Sequence, residues 1–224
     1  MYLSLLRLNP ASAAVQRDLR DVMGLHRTIM KAYPDVLDPK VAARACFGVL
    51  HRLEFDRRTG RVLLYVQSRM QPDWSQLPER YLLPEDEMPN PTVKSVGEVY
   101  AGLKPGRVLR FRLRANPTRK VDTKSGPEGS RRNGRRVPVR RLEEQIEWLA
   151  RKAESNGFGI LQVAVAGSGA AELVKSHQAG LTFQGVLFEG RLVVRDPERF
   201  REAVVKGIGP GKAFGFGLLS VGPD

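Results

Sequence analysis

The apolar pattern of this 224-residue chain changes period in the same order twice. Tyr2–Leu8 alternates as a strand, and a stripe at helical spacing follows through Val22, Leu25, Ile29 and Tyr33. Asp18 or Asp21 is placed to cap that helix. Its end falls near Tyr33, because Pro34 pushes its predecessor out of the helical region. Strands are predicted over 47–55 and 61–68, joined by the turn Asp-Arg-Arg-Thr-Gly that ends at Gly60. Residues 73–77 open a short second helix. The order β-α-β-β-α is most of a ferredoxin-like unit.

Residues 84–106 carry four prolines and three glycines, which marks a linker. The second unit then begins with a strand over 107–115 and a polar, basic loop over 118–138. A helix over 141–155 follows, its apolar stripe being Leu142, Ile146 and Leu149. Strands follow over 159–165 and 181–194, the second with room to bend at Gly185 and Gly190. Asp196-Pro197 opens a helix to about Lys206, with aspartate as cap and proline in the first turn. A last strand covers 216–221. The expected fold is α+β, two tandem ferredoxin-like (RRM-like) β-α-β-β-α-β domains at 1–90 and 107–224, with 91–106 as the linker.

The net charge is +13, which selects polyanionic partners, nucleic acid before an anionic membrane surface. No apolar stretch approaches the ~20 residues of a spanning helix, so no membrane partner is expected. The single cysteine, Cys46, excludes an internal disulfide and fits a reducing cytoplasm. With three scattered histidines it also argues against a structural zinc site, and no motif calls for a metal or other cofactor.

Most of the excess charge is local. Residues 104–152 hold 16 Lys/Arg against five Asp/Glu, a balance of +11. On a strand, Arg110, Arg112 and Arg114 share one face, opposite Phe111 and Leu113. A basic sheet face beside a basic loop suits a phosphate backbone. Aromatics are only 7% and the RNP1 signature is missing, so recognition by charge and shape is expected rather than base stacking.

Between the last helix and last strand, Gly207-Ile-Gly-Pro-Gly-Lys-Ala-Phe-Gly-Phe-Gly217 surrounds Lys212 with five glycines. Exposed N–H groups in such a loop can cradle an anion. Neither the P-loop nor the dinucleotide fingerprint fits, because Lys206 and Ala213 break the first and Lys212 or Phe214 the second. A flexible turn is the alternative.

His26 lies at the edge of the first helix's apolar face, with Arg27 beside it and Lys31 further on. A histidine and nearby cations suffice to cleave RNA through the ribose 2′-OH. A structural histidine would fit the same place. His51 and His177 have no evident partner and are expected at the surface.

These motifs together resemble the CasE family, the CRISPR repeat-RNA endoribonucleases of type I-E Cascade. The start Met-Tyr-Leu-Ser, Asp18-Leu19, Leu25-His26, Leu109-Arg-Phe-Arg-Leu-Arg-Ala-Asn-Pro117, Phe188-Glu-Gly-Arg-Leu192, the glycine loop and Gly217-Leu-Leu-Ser220 carry the likeness. The resemblance implies metal-independent cutting of precursor CRISPR RNA at the base of the repeat stem-loop, giving a 5′-hydroxyl and a 2′,3′-cyclic phosphate. It implies His26 and Lys31 as catalytic residues. Arg27, Arg110, Arg112, Arg114, Asn116, Arg119, Lys120, Lys175, Gly209, Gly211 and Lys212 are the expected RNA-binding set. The implied partners are the repeat stem-loop and the other Cascade subunits. One position departs: members commonly carry a tyrosine three residues before the histidine, where this chain has Met23. A non-catalytic RNA-hairpin-binding subunit is therefore the alternative.

Overall fold

In the computed structural model, residues 1–38, 42–56, 58–86, 88–121, 135–166, 172–176 and 181–224 are described. The first sheet is built from β1 (Tyr2–Leu8), β2 (Leu50–Asp56), β3 (Arg61–Ser68) and β4 (Thr92–Ser95), in the spatial order β2-β3-β1-β4 and wholly antiparallel. One face carries Leu6, Leu8, Leu64 and Val66 against the helices α1 (Ala13–Arg20) and α2 (Val22–Met30). A four-residue helix, α3 (Ala43–Cys46), leads into β2.

The second sheet has the same order. It runs β11 (Leu219–Pro223), β5 (Val108–Ala115), β10 (Leu181–Val194), β8 (Phe158–Ala166), and β9 (Glu172–Ser176) extends it by pairing with β10. Its core joins Phe111, Leu113 and Phe188 to α5 (Leu142–Ser155) and α6 (Pro197–Lys206). Two ferredoxin-like units are present, as the alternation of periods required.

Several local expectations are corrected. The linker stretch carries β4, which pairs with Tyr2–Leu5 as an edge strand, and a short helix α4 (Gly97–Ala101). Pro89 and Pro91 stand just outside this strand, where no ladder hydrogen bond is lost. The helix expected at 73–77 is a single 3-10 turn, Trp74–Gln76, because Leu77 before Pro78 is extended. Asp18 caps nothing. It lies inside α1 and accepts a buried hydrogen bond from the Tyr81 hydroxyl at 2.9 Å, while Asp21 caps α2 through Met23 N–H. The base of the basic loop is a hairpin of β6 (Thr118–Val121) and β7 (Arg135–Pro138), and 122–134 lie outside the described residues.

In α5 the buried face is Gln145, Trp148, Leu149 and Ala153, and Leu142 is 50% exposed. Gln145 turns inward because its amide donates to Val139 O (3.0 Å) and Arg140 O (3.3 Å). In β10, Gly185 is the last residue paired with β9, and Val186 is the first paired with β5. Gly190 passes so close to Gln162 O that a Cβ would sit 1.9 Å from it.

The two domains are locked along β2. Arg52 is buried between them, donating to Glu54 (2.6 Å), Ser220 Oγ (2.9 Å) and Leu218 O (3.3 Å). Glu54 in turn accepts from Arg112 at 2.6 Å, and Gln67 donates to Val204 O at 2.7 Å.

Candidate active site

Strand β2 alternates between two neighbours. Its 50/52/54 face meets the second domain, and its 49/51/53 face meets its own helices. His51 is on the helix side and only 1% exposed, which corrects the surface placement expected for it. Above it on α2 stands His26, half-buried as its helical position required. The two rings are near-parallel (21°) with centres 6.2 Å apart. His26 Nδ1 and His51 Nε2 are both buried without a hydrogen-bond partner.

Burial, reinforced by the Arg44 guanidinium, pulls the His26 pKa down to about 4. Burial is also the main cause at His51, held at about 3, with His26, Arg114 and Arg44 adding to it. Both imidazoles are neutral at pH 7, so His26 holds no acidic proton to give, and the burial that keeps it neutral also weakens it as a base.

The glycine loop closes over this pair. The turn Lys212–Phe214 packs against α2 and β2, and Gly215 stands so close to His51 that a Cβ there would lie 3.5 Å from Nε2. Gly217 (φ +89°) delays the last strand. Its N–H donates to Arg114 O (2.8 Å) and its carbonyl accepts from Ile208 N–H (2.9 Å), so β11 starts at Leu219 rather than at 216. Gly209 lies against Trp148, and Gly211 against the Phe216 ring. The loop and His26, some 190 residues apart, share one site.

Several expected residues converge here. The charge of Arg114 reaches His51, and its guanidinium lies 5.5 Å from the centre of the Phe216 ring. Lys212 is partly buried. Burial first, then Arg44, Lys152 and Lys206, lower its pKa. Others stand elsewhere. Lys31 is exposed at the C-cap of α2, and Arg27 leans back along the helix to Met23 O and Asp21. Arg110 donates to Pro223 O, and Arg112 is held between Glu54 and Glu189. The anionic compensation for the arginine face is thus partly internal. Arg119 and Lys120 are exposed on β6, Asn116 is buried at 6% exposure, and Lys175 lies in β9, a strand packed against α2.

Arg44 is the member of this cluster that the sequence did not signal. His51 was detectable, since strict alternation puts it on the face of Val49 and Leu53. Among the described residues no group of three or more His, Cys, Asp or Glu side chains is arranged to hold a metal ion. No helix among them is long and apolar enough to cross a membrane.

Residues 1–223 match the family described as CRISPR associated protein. From end to end of both chains, the sequence is 38% identical to the CRISPR-associated endoribonuclease Cse3 of Thermus thermophilus. The chain belongs to the Cse3/CasE family. The Cascade subunit CasE of Escherichia coli is 33% identical over 72% of this chain and 81% of its own. Among solved Cse3/CasE structures, T. thermophilus Cse3 bound to an RNA representing a pre-cleavage complex matches 99% of this chain and 98% of its own, at TM-score 0.79 and 37% identity. Cas6e of E. coli matches over the full length of both chains, at TM-score 0.68 and 26% identity.

Proposed function

We propose that this protein cuts precursor CRISPR RNA at the base of the repeat stem-loop, without a metal ion. It then stays on its product as a cytoplasmic Cascade subunit. The observation that carries the reading is the neutral, half-buried His26 at the domain junction, with the Arg44 cation close enough to lower its pKa and that of Lys212. The chain that builds this site aligns end to end with an endoribonuclease.

His26 takes the proton of the ribose 2′-OH. The 2′-oxygen attacks the adjacent phosphorus, the P–O5′ bond breaks, and a 2′,3′-cyclic phosphate and a 5′-hydroxyl result. Cations at the junction offset the charge that builds on the non-bridging oxygens. Lys31 stands at the end of the same helix as the second catalytic candidate. Arg27, Arg110, Arg114, Arg119, Lys120 and Lys175 supply phosphate contacts, with Asn116 and the backbone at Gly209, Gly211 and Lys212 nearer the junction. These contacts fix the hairpin's position and do not by themselves read its sequence.

Met23 supports a second reading, a non-catalytic hairpin-binding subunit. It occupies the position one turn before His26 and carries no proton to give. Incubating a cognate repeat hairpin in EDTA with wild type and His26→Ala, and analysing the 3′ ends, separates the two. The proposal requires a cyclic-phosphate product from wild type alone. Tight binding with no product at enzyme excess establishes the second reading.

A further inference from the structure

Arg44 is tied to the strand that carries His51. Its Nη1 donates to Val49 O at 3.3 Å, and its own carbonyl accepts from Val49 N–H at 2.9 Å. The guanidinium is half-buried, yet no carboxylate among the described residues pairs with it. Three other guanidiniums withdrawn from water are matched by carboxylates: Arg7 by Asp86, Arg52 by Glu54, and Arg112 by Glu54 and Glu189. A partly desolvated cation without a counter-charge is costly to keep. Val49 stands two residues before His51, whose ring stacks on His26, so the bond places Arg44 beside the histidine pair, and its charge also lowers the pKa of His26, His51 and Lys212.

We infer that Arg44 binds the scissile phosphate beside His26 and stabilises the charge that builds on it during cleavage. The inference rests on the endoribonuclease reading above and names a catalytic residue for it. As the O2′–P bond forms and the P–O5′ bond breaks, negative charge grows on the two non-bridging oxygens. Arg44 N–H groups donate to them. The 2′-OH proton passes to His26 and on to solvent, and the leaving 5′-oxygen takes a proton from solvent. Arg44 acts from the buried side of the site, and Lys31, exposed at the end of α2, acts from the solvent side.

Arg44→Gln and Arg44→Lys test this in two ways. The first uses the free protein and no RNA: the His26 titration is followed by NMR. The other charged groups around His26 stay in place, namely Arg27 and Lys31 on its own helix, His51 on β2, Arg114 on β5 and Lys212 in the loop. The His26 pKa rises part of the way toward its ordinary value in Arg44→Gln, burial holding the rest of the lowering, and stays as low as wild type in Arg44→Lys. An unmoved value in Arg44→Gln overturns the inference.

The second is single-turnover cleavage of the repeat hairpin. Arg44→Gln loses about 100- to 1000-fold in rate, the effect of removing one transition-state donor. Arg44→Lys keeps a measurable part of it. Affinity for a hairpin made uncleavable by a 2′-deoxy sugar changes far less. Wild-type cleavage by Arg44→Gln, with His26→Ala inactive, overturns the role of Arg44 and leaves the endoribonuclease reading intact. Wild-type protein that binds the hairpin and never cuts it overturns both. Equal losses of cleavage and thermal stability in both variants reassign Arg44 to holding α3 on β2.

Discussion

The imidazole of His51 lies beneath that of His26, tilted by only 21° and 6.2 Å away, one on a strand and one on the helix above it. The pair makes stability depend on pH. Both folded-state pKa values, about 4 and about 3, lie below the ordinary 6.5. The unfolded chain therefore binds more protons throughout that interval. Stability is full above pH 6.5 and drains as pH falls toward 4 and then 3, each histidine contributing up to about 1.4 kcal/mol per pH unit. His51→Leu removes one of the two. Urea unfolding at pH 7, 5.5 and 4.5 should show a shallower acid decline in the variant, and parallel declines would contradict the assignment.

Arg52 joins the domains through the Ser220 hydroxyl and the Leu218 carbonyl, and Glu54 on its own strand holds it in place. Arg52→Ala leaves Glu54 short of a partner at a buried seam, a loss on the order of 3–5 kcal/mol. A double-mutant cycle with Glu54→Ala should show coupling well above that of an exposed pair. Additive losses would mean that Arg52 and Glu54 hold the seam independently of each other.

Cations of the basic region on β5 and β6 have different work to do. Arg112 is held by Glu54 and Glu189, whereas Arg119 and Lys120 face solvent from β6. Arg119→Ala and Lys120→Ala should each weaken hairpin binding and lower the log–log salt slope by about one. Arg112→Ala should chiefly lower the melting temperature. Titrations at three salt concentrations, with melting curves of the free proteins, test the contrast.

Gly217→Ala meets two obstacles at once. The residue is left-handed at φ +89°, a conformation that costs an alanine roughly 1–2 kcal/mol, and the new Cβ would lie 2.9 Å from Ile208 O. The loop should shift off the histidine pair. Cleavage should fall more than hairpin affinity, and unchanged cleavage in the purified variant would show that the loop is not part of the site.

Met23→Tyr places a phenol one helical turn before His26. If the wild type cuts slowly for want of that group, the variant should gain about tenfold or more in single-turnover rate. No gain would locate the rate limit elsewhere.

What could be read from the sequence followed from local rules. Asp196-Pro197 started α6 as expected, with Asp196 accepting from Glu198 and Arg199 N–H, and β1, β3 and β10 fall where alternation placed them. Composition misled at β4, where prolines beside an edge strand look the same as prolines in a linker. The site was half legible. His26 showed itself by its place on a helix edge, and the basic strand by its alternation. Arg44 did not, because a four-residue helix has no period to read and what it faces, the histidine pair and Lys212, comes from other elements. Convergence of the glycine loop on His26 is a matter of domain docking, which no local pattern encodes.

That convergence sets the order in which the enzyme matures during synthesis. The ribosome delivers His26, Arg44 and His51 early, and the first sheet can fold around them. Their cover, Lys212 to Gly217, comes only after β10 and α6 have been made. Until then the nascent chain has the histidine pair without its roof or its second-domain cations. On the proposed mechanism, a nuclease that shares its cell with every other transcript stays unarmed until the second domain has docked.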